Sequence, residues 1–100
     1  MMAAIVAAES GERVTLLEGN AQLGRKILIS GNGRCNLTNL AADDRKHYHG
    51  NHPHFSRSVL HQFRLDDTLA FFNDLGVVFR EEKRQRLFPV SAFAANGIMS

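Results

Sequence analysis

RVTLLEGNAQLGRKILISGNGRCNLTN, residues 13–39, changes character repeatedly within one short passage. It opens on Val14, Leu16 and Leu17, closed by Glu18 and the turn formers Gly19 and Asn20, which predicts a short buried strand over residues 13–18 ended by an acid. The apolar triplet Ile27, Leu28, Ile29 follows, and then Gly31, Asn32 and Gly33. Such a glycine-rich stretch lets backbone N–H groups approach a ligand closely and adopt positive φ. Upstream, MMAAIVAAES is rich in good helix formers and stops at Gly11, a residue suited to the left-handed conformation that closes a helix. Helix, glycine, apolar strand and terminal acid make half of an α/β unit.

Downstream, residues 40–54, with HYHGNHPH at their end, read as an exposed loop. Asp66 or Asp67 is suited to cap a helix whose apolar positions are Leu69, Phe72 and Leu75, with Gly76 as its stop. Residues 77–80 and 87–90 then read as short strands around the polar EEKRQR, and Phe71 and Phe72 as core. At 100 residues and 44% hydrophobic content, the chain forms one modest domain and not a disordered tail. Its net charge of +2 is spread over several segments, so no nucleic-acid partner is expected. Cys35 is the single cysteine, which excludes an internal disulfide and a cysteine-based zinc cage. The longest apolar run, residues 1–8, falls far short of the ~20 residues of a spanning helix, so no membrane partner and a cytoplasmic location are expected.

Glu18 is the first candidate for chemistry. In dinucleotide-binding βαβ units an acid at the end of the second strand accepts hydrogen bonds from a ribose, ~20 residues beyond a glycine fingerprint on the first βα turn. Counting back from Glu18 places that fingerprint before Met1, so the first strand and its glycine turn are expected to lie outside this chain. A solvated strand-end acid is the plainer alternative. GNAQLGRK, residues 19–26, departs twice from a phosphate loop: Arg25 displaces the lysine, and Ile27 stands where a hydroxyl should reach Mg²⁺. Arg25, Lys26 and Arg34 flank the glycine segment, where cations could face a diphosphate, although surface solvation is the commoner fate. His47, His49, His52 and His54 offer metal-ligand spacing, but they share a loop without a nearby cysteine, and no metal ligand is expected there. For Cys35 a buried thiol is expected over a nucleophile, because no base is identifiable near it.

LLEGNAQLGRKILISGNGRCNLTN (residues 16–39) and RLFPVS (residues 86–91) together resemble the bacterial BaiN-like NAD(P)/FAD-dependent oxidoreductases, sometimes labelled aminoacetone oxidases. The similarity extends to the HGN…FFNDLGV segment and covers about the first quarter of a typical member. The resemblance implies an α/β fold: a partial Rossmann-like FAD-binding domain over residues 1–40, lacking its first strand and glycine turn. Residues 41–100 then follow as a connecting loop, helix and short strands leading into an inserted region. It further implies that Glu18 holds the adenosine ribose. Gly24, Arg25, Lys26, Ser30, Gly31, Gly33, Arg34, Cys35 and Asn36 belong to the segment running along FAD toward the flavin ring.

The implied activity moves a hydride or electron pair between NAD(P)H or O₂ and a small organic substrate, with FAD as cofactor and NAD(P)H as electron donor. The remainder of the parent chain is the implied partner, and the 100 residues alone are expected to be inactive. Asn32 and Gln85 stand where the family usually has glycine. Related disulfide reductases place two cysteines near the flavin, so with Cys35 alone the redox work falls to the flavin itself. The alternatives are a non-functional truncated remnant and a small module binding metal through the histidine loop, or RNA.

Overall fold

The computed structural model describes residues 1–90. Residues 91–100 of the expected 41–100 segment, Ser91 of RLFPVS included, lie outside the described residues. Helix α1 (Met2–Glu9) forms from the Ala- and Met-rich opening, and Ser10 ends it by donating its hydroxyl to the Val6 carbonyl at 3.0 Å. Gly11 follows at φ 86°, the left-handed stop expected there.

The strand expected over residues 13–18 does not form. These residues pair with no other segment among the described residues, and all are exposed, Leu17 to 89%. A strand draws its stability from a ladder partner and a covered face, and the described residues supply neither. The triplet at 27–29 instead completes a single helical turn, α2 (Arg25–Ile29), entered through Gly24 at φ 68°.

The sheet lies further along and is antiparallel, in the order β1 (Thr38–Asn39), β3 (Arg86–Pro89), β2 (Phe79–Glu82). Strands β2 and β3 form a hairpin in which Phe79 faces Pro89 and Glu82 faces Arg86. The turn Lys83–Gln85 reverses the chain within three residues because Arg84 and Gln85 both take left-handed φ, 62° and 58°. That tight reversal lets β2 extend through the charged Arg80, Glu81 and Glu82, so it starts and ends later than the expected 77–80.

Two helices fill the interval between β1 and β2. Helix α3 (Pro53–Gln62), which starts on a proline suited to a first turn, begins in the last two residues of the expected loop and runs on through residues 55–62, where no element was expected. Helix α4 (Leu65–Asp74) is the expected one, but its start differs. Arg64 is the capping position, and Asp67, three residues on, accepts the Arg64 amide at 2.8 Å. Asp43 accepts the Leu65 amide at 3.0 Å, and Gly76 at φ 83° closes the helix as expected.

The small core sits where α2 meets β3. Cys35, Leu87 and Phe88 are buried, and Ile27, Leu28 and Leu37 pack on Cys35. Phe72 meets Phe71 and Phe79 edge to face at 5.1 and 6.4 Å, but Phe71 and Phe72 are only half-buried and lie outside the core expected of them. No helix of the described residues is long and apolar enough to cross a membrane.

Candidate functional site

After α2 the chain turns sharply through residues 30–36. Gly31, Asn32, Gly33 and Cys35 have φ of 57°, 58°, 80° and 58°. The Ser30 carbonyl accepts the Gly33 and Cys35 amides at 3.1 and 3.0 Å, and the Gly31 carbonyl accepts Arg34 at 3.2 Å. Those bonds fix the loop from inside. The amides of Gly31, Asn32 and Asn36 have no hydrogen-bond partner among the described residues, and Asn32 and Asn36 are exposed. A left-handed run of backbone with unpaired N–H groups makes a donor surface for ligand oxygens.

Gly31 touches the core directly, since a Cβ added there would lie 2.7 Å from Phe88 Cε1 and 2.9 Å from the Asn36 nitrogen. Asn32 and Gln85, the two departures from the family pattern, both sit at positive φ, so each keeps the backbone path that a glycine would take. Asparagine reaches that region more readily than most side chains.

Arg34 binds the loop to the hairpin. Its Nη1 donates to both Glu82 oxygens at 2.9 and 3.2 Å, and its guanidinium lies 4.7 Å from the centroid of the Phe88 ring. Arg80 donates to the same carboxylate at 3.0 Å, and Arg86 lies 5.4 Å from the centroid of the same ring. Partial desolvation pushes the Glu82 carboxyl up, but the bonds and charges of Arg80 and Arg34 outweigh it and hold it below the ordinary carboxylate value.

Burial pushes the Cys35 thiol up, with a weaker opposing hydrogen bond from Ser30. This favours a protonated, packed thiol over a nucleophile. Arg25 and Lys26 are exposed at the start of α2. Glu18 accepts the Asn20 backbone amide and side-chain amide, both at 2.8 Å, and these bonds hold its carboxyl below the usual range. It is thus an exposed carboxylate able to accept further hydrogen bonds. No hydrogen bond joins it to the 30–36 loop among the described residues.

Among the described residues no three His, Cys, Asp or Glu side chains come together in a group able to hold a metal ion. Two features escaped the sequence reading. The left-handed turn at Arg84 and Gln85 is clamped by Asn39, whose side-chain amide donates to the Arg84 carbonyl at 2.7 Å, and by the Leu40 amide on the Gln85 carbonyl at 2.9 Å. Arg57, His61 and Arg64 also gather with Arg45 around one cavity. Their spacing would have signalled it had α3 been recognised.

Among the described residues the structure thus gives a donor loop at residues 30–36, an exposed carboxylate at Glu18 and two exposed cations at Arg25 and Lys26, with no hydrogen bond joining the three. Comparison with known proteins shows the family. The chain matches the HI0933-like protein Rossmann domain over residues 1–99. It is 46% identical over 98 residues to a 3-dehydro-bile acid delta(4,6)-reductase of Clostridium scindens, which covers 96% of this chain and 24% of that protein. It is 38% identical over 88 residues to a ribosomal RNA dihydrouridine synthase of Escherichia coli, covering 88% of this chain and 22% of the relative. A ribosomal RNA dihydrouridine synthase of Haemophilus influenzae is 36% identical over 81 residues, 81% of this chain and 20% of the relative. The chain therefore spans a quarter or less of the length of these relatives. With its incomplete Rossmann-like α/β fold and the BaiN-like motifs of residues 16–39, this chain belongs to the family of the HI0933-like protein Rossmann domain.

Proposed function

We propose that this chain is the FAD-contacting part of a longer cytoplasmic oxidoreductase that moves a hydride or electron pair between NAD(P)H or O₂ and a small organic substrate. The remainder of the parent chain completes the site. The observation that carries the reading is the 30–36 loop, with its left-handed backbone and unpaired amides at Gly31, Asn32 and Asn36, in a chain of this family. The names of the relatives denote reductions that add hydrogen to unsaturated rings, and we extend that class of reaction to this protein.

Bound FAD would supply the ring that accepts and passes on the hydride. The chain's own residues bind and orient it. The Glu18 carboxylate, kept ionised by Asn20, accepts the ribose hydroxyls. Arg25 and Lys26 face the diphosphate, and Gly24 and Gly33 let the backbone pass close to the cofactor. Ser30 anchors the loop from below through its carbonyl, while the amides of Gly31, Asn32 and Asn36 donate to cofactor oxygens. Arg34 holds the loop against β2 through Glu82, and Cys35 packs beneath it as a protonated thiol.

The test is to purify the whole protein, desalt it and read the flavin absorbance, then add NADPH or NADH without oxygen. Stoichiometric flavin that bleaches with a nicotinamide and returns with an acceptor is expected, as is loss of flavin in Glu18→Ala. A whole protein that retains no flavin after reconstitution refutes the reading.

A further inference from the structure

We propose that the cationic cavity between α3 and the turn Arg45–His47 is a binding site for the phosphate group of a small phosphate monoester. Arg57 and His61 lie one helical turn apart on one face of α3, Arg64 follows the helix, and Arg45 reaches in from the turn. With Leu60 and Asp43 they line a cavity of 130 Å³. Asp43 is the single carboxylate of that lining, and it is already engaged. It accepts the Leu65 amide at 3.0 and 3.2 Å, and Arg64 Nε lies 3.6 Å from it.

The neighbouring Asp44 is engaged as well, capping the turn through the Lys46 amide at 3.1 Å and pairing with the Lys46 ammonium at 2.9 Å. In the adjoining first turn of α4, Asp67 accepts the Arg64 amide. Arg45 and Arg57 therefore make no ion pair among the described residues, although both line one small cavity.

Two guanidinium charges left over in one pocket call for an anion of similar magnitude. A phosphate monoester carries ≈ −1.5 to −2 at neutral pH, whereas each diester of a nucleic-acid backbone carries only one negative charge. Guanidinium forks pair with phosphate oxygens in two parallel hydrogen bonds, a geometry that lysine does not offer. The cavity has room for one such group and little more. A second cavity of 410 Å³ shares Arg57 and His61 and is lined also by His54, Ser58 and Gln62, whose hydroxyl and amide groups suit the organic part of the ligand. The arginines come from separate elements with the turn and both helices holding them, so the arrangement belongs to the fold and not to one charged run.

The experiment uses the whole protein with its flavin loaded, so that no phosphate probe competes for the cofactor site. Inorganic phosphate, AMP, adenosine and the diester ApA are titrated by calorimetry against the protein and against Arg45→Gln and Arg57→Gln variants. Phosphate and AMP should bind saturably with Kd of about 1 mM or tighter, and each variant should weaken them about tenfold with flavin content unchanged. AMP binding more tightly than inorganic phosphate would show that the second cavity takes the organic part, whereas equal affinities would confine the site to the phosphate group. Absence of saturable phosphate binding, binding indifferent to both variants, or adenosine matching AMP each overturns the proposal. ApA binding as tightly as AMP overturns it in favour of a polynucleotide surface.

Discussion

Replacing Gly31 by alanine should destabilise the protein far more than the same change at Gly76. Both glycines have positive φ, 57° and 83°, but nothing lies within 4 Å of a Cβ added at Gly76. There the cost is conformational: a left-handed alanine costs ~1–2 kcal/mol, offset by ~0.4–1 kcal/mol from the stiffer unfolded chain. At Gly31 the new carbon meets Phe88 Cε1 at 2.7 Å, the Asn36 nitrogen at 2.9 Å and Asn36 Cβ at 3.3 Å. Phe88 is only 1% exposed and Asn36 presents its backbone there, so neither gives way cheaply. Overpacking of this kind adds ~1–3 kcal/mol, which brings the total to ~1–5 kcal/mol. Urea unfolding followed by circular dichroism compares the two variants. Combining Gly31→Ala with Phe88→Leu should recover less than half of the extra loss, because the Asn36 contact remains. A Gly31→Ala cost within about 0.5 kcal/mol of the Gly76→Ala cost would show that the loop does not rest on Phe88 as described.

Gln85→Gly should raise stability by ~0.5–1 kcal/mol, because it relieves a left-handed glutamine; an unchanged or lower urea midpoint would contradict that turn geometry. Cys35, buried with its thiol pushed up, should react with a disulfide reagent at neutral pH far more slowly than in the unfolded chain. In the whole protein Cys35→Ser should keep FAD and most nicotinamide-dependent reduction by stopped-flow absorbance, and loss of reduction with FAD retained would make the thiol a participant. Glu82 has a lowered carboxyl value, so its stabilising contribution is complete above the ordinary 4.5 and is lost as pH falls through its value in the folded protein. Glu82→Gln should therefore flatten the acid limb of a stability profile below about pH 5, and an unaltered limb would remove the Arg34–Glu82–Arg80 link from the account. Calorimetry with Zn²⁺ should find no stoichiometric submicromolar site that His49→Ala with His52→Ala abolishes.

What sequence alone revealed follows from how local each element is. Helix α1, helix α4 with its Gly76 stop, and the two strands around EEKRQR are governed by propensity, capping and short apolar runs, all written within a few residues, whereas the left-handed turn at Arg84 and Gln85 that joins those strands was not legible. Residues 13–18 have strand character but no ladder, since pairing depends on a distant segment. Helix α3 was hidden by Gly50, Asn51 and Pro53, which read as loop although Pro53 opens the helix. Asp67 was legible as a helix-start residue, but whether it caps or sits three residues in depends on Arg64. The positive φ of the Gly31–Gly33 stretch was legible, and so was the burial of the Cys35 thiol. That Arg34 turns to Glu82 and Phe88 was not, because its partners lie 48 and 54 residues away.

That separation also orders events in time. The 30–36 loop leaves the ribosome well before the strand that secures it, since Glu82 follows Arg34 by 48 residues. At ~5–20 residues per second, synthesis of that interval takes about 2–10 s. Through that delay neither the Glu82 carboxylate nor the Phe88 ring exists to hold the loop, and its left-handed backbone has only its own internal hydrogen bonds. If these amides hold FAD as proposed, its capture is a late event in the life of the nascent chain, licensed by the arrival of the hairpin.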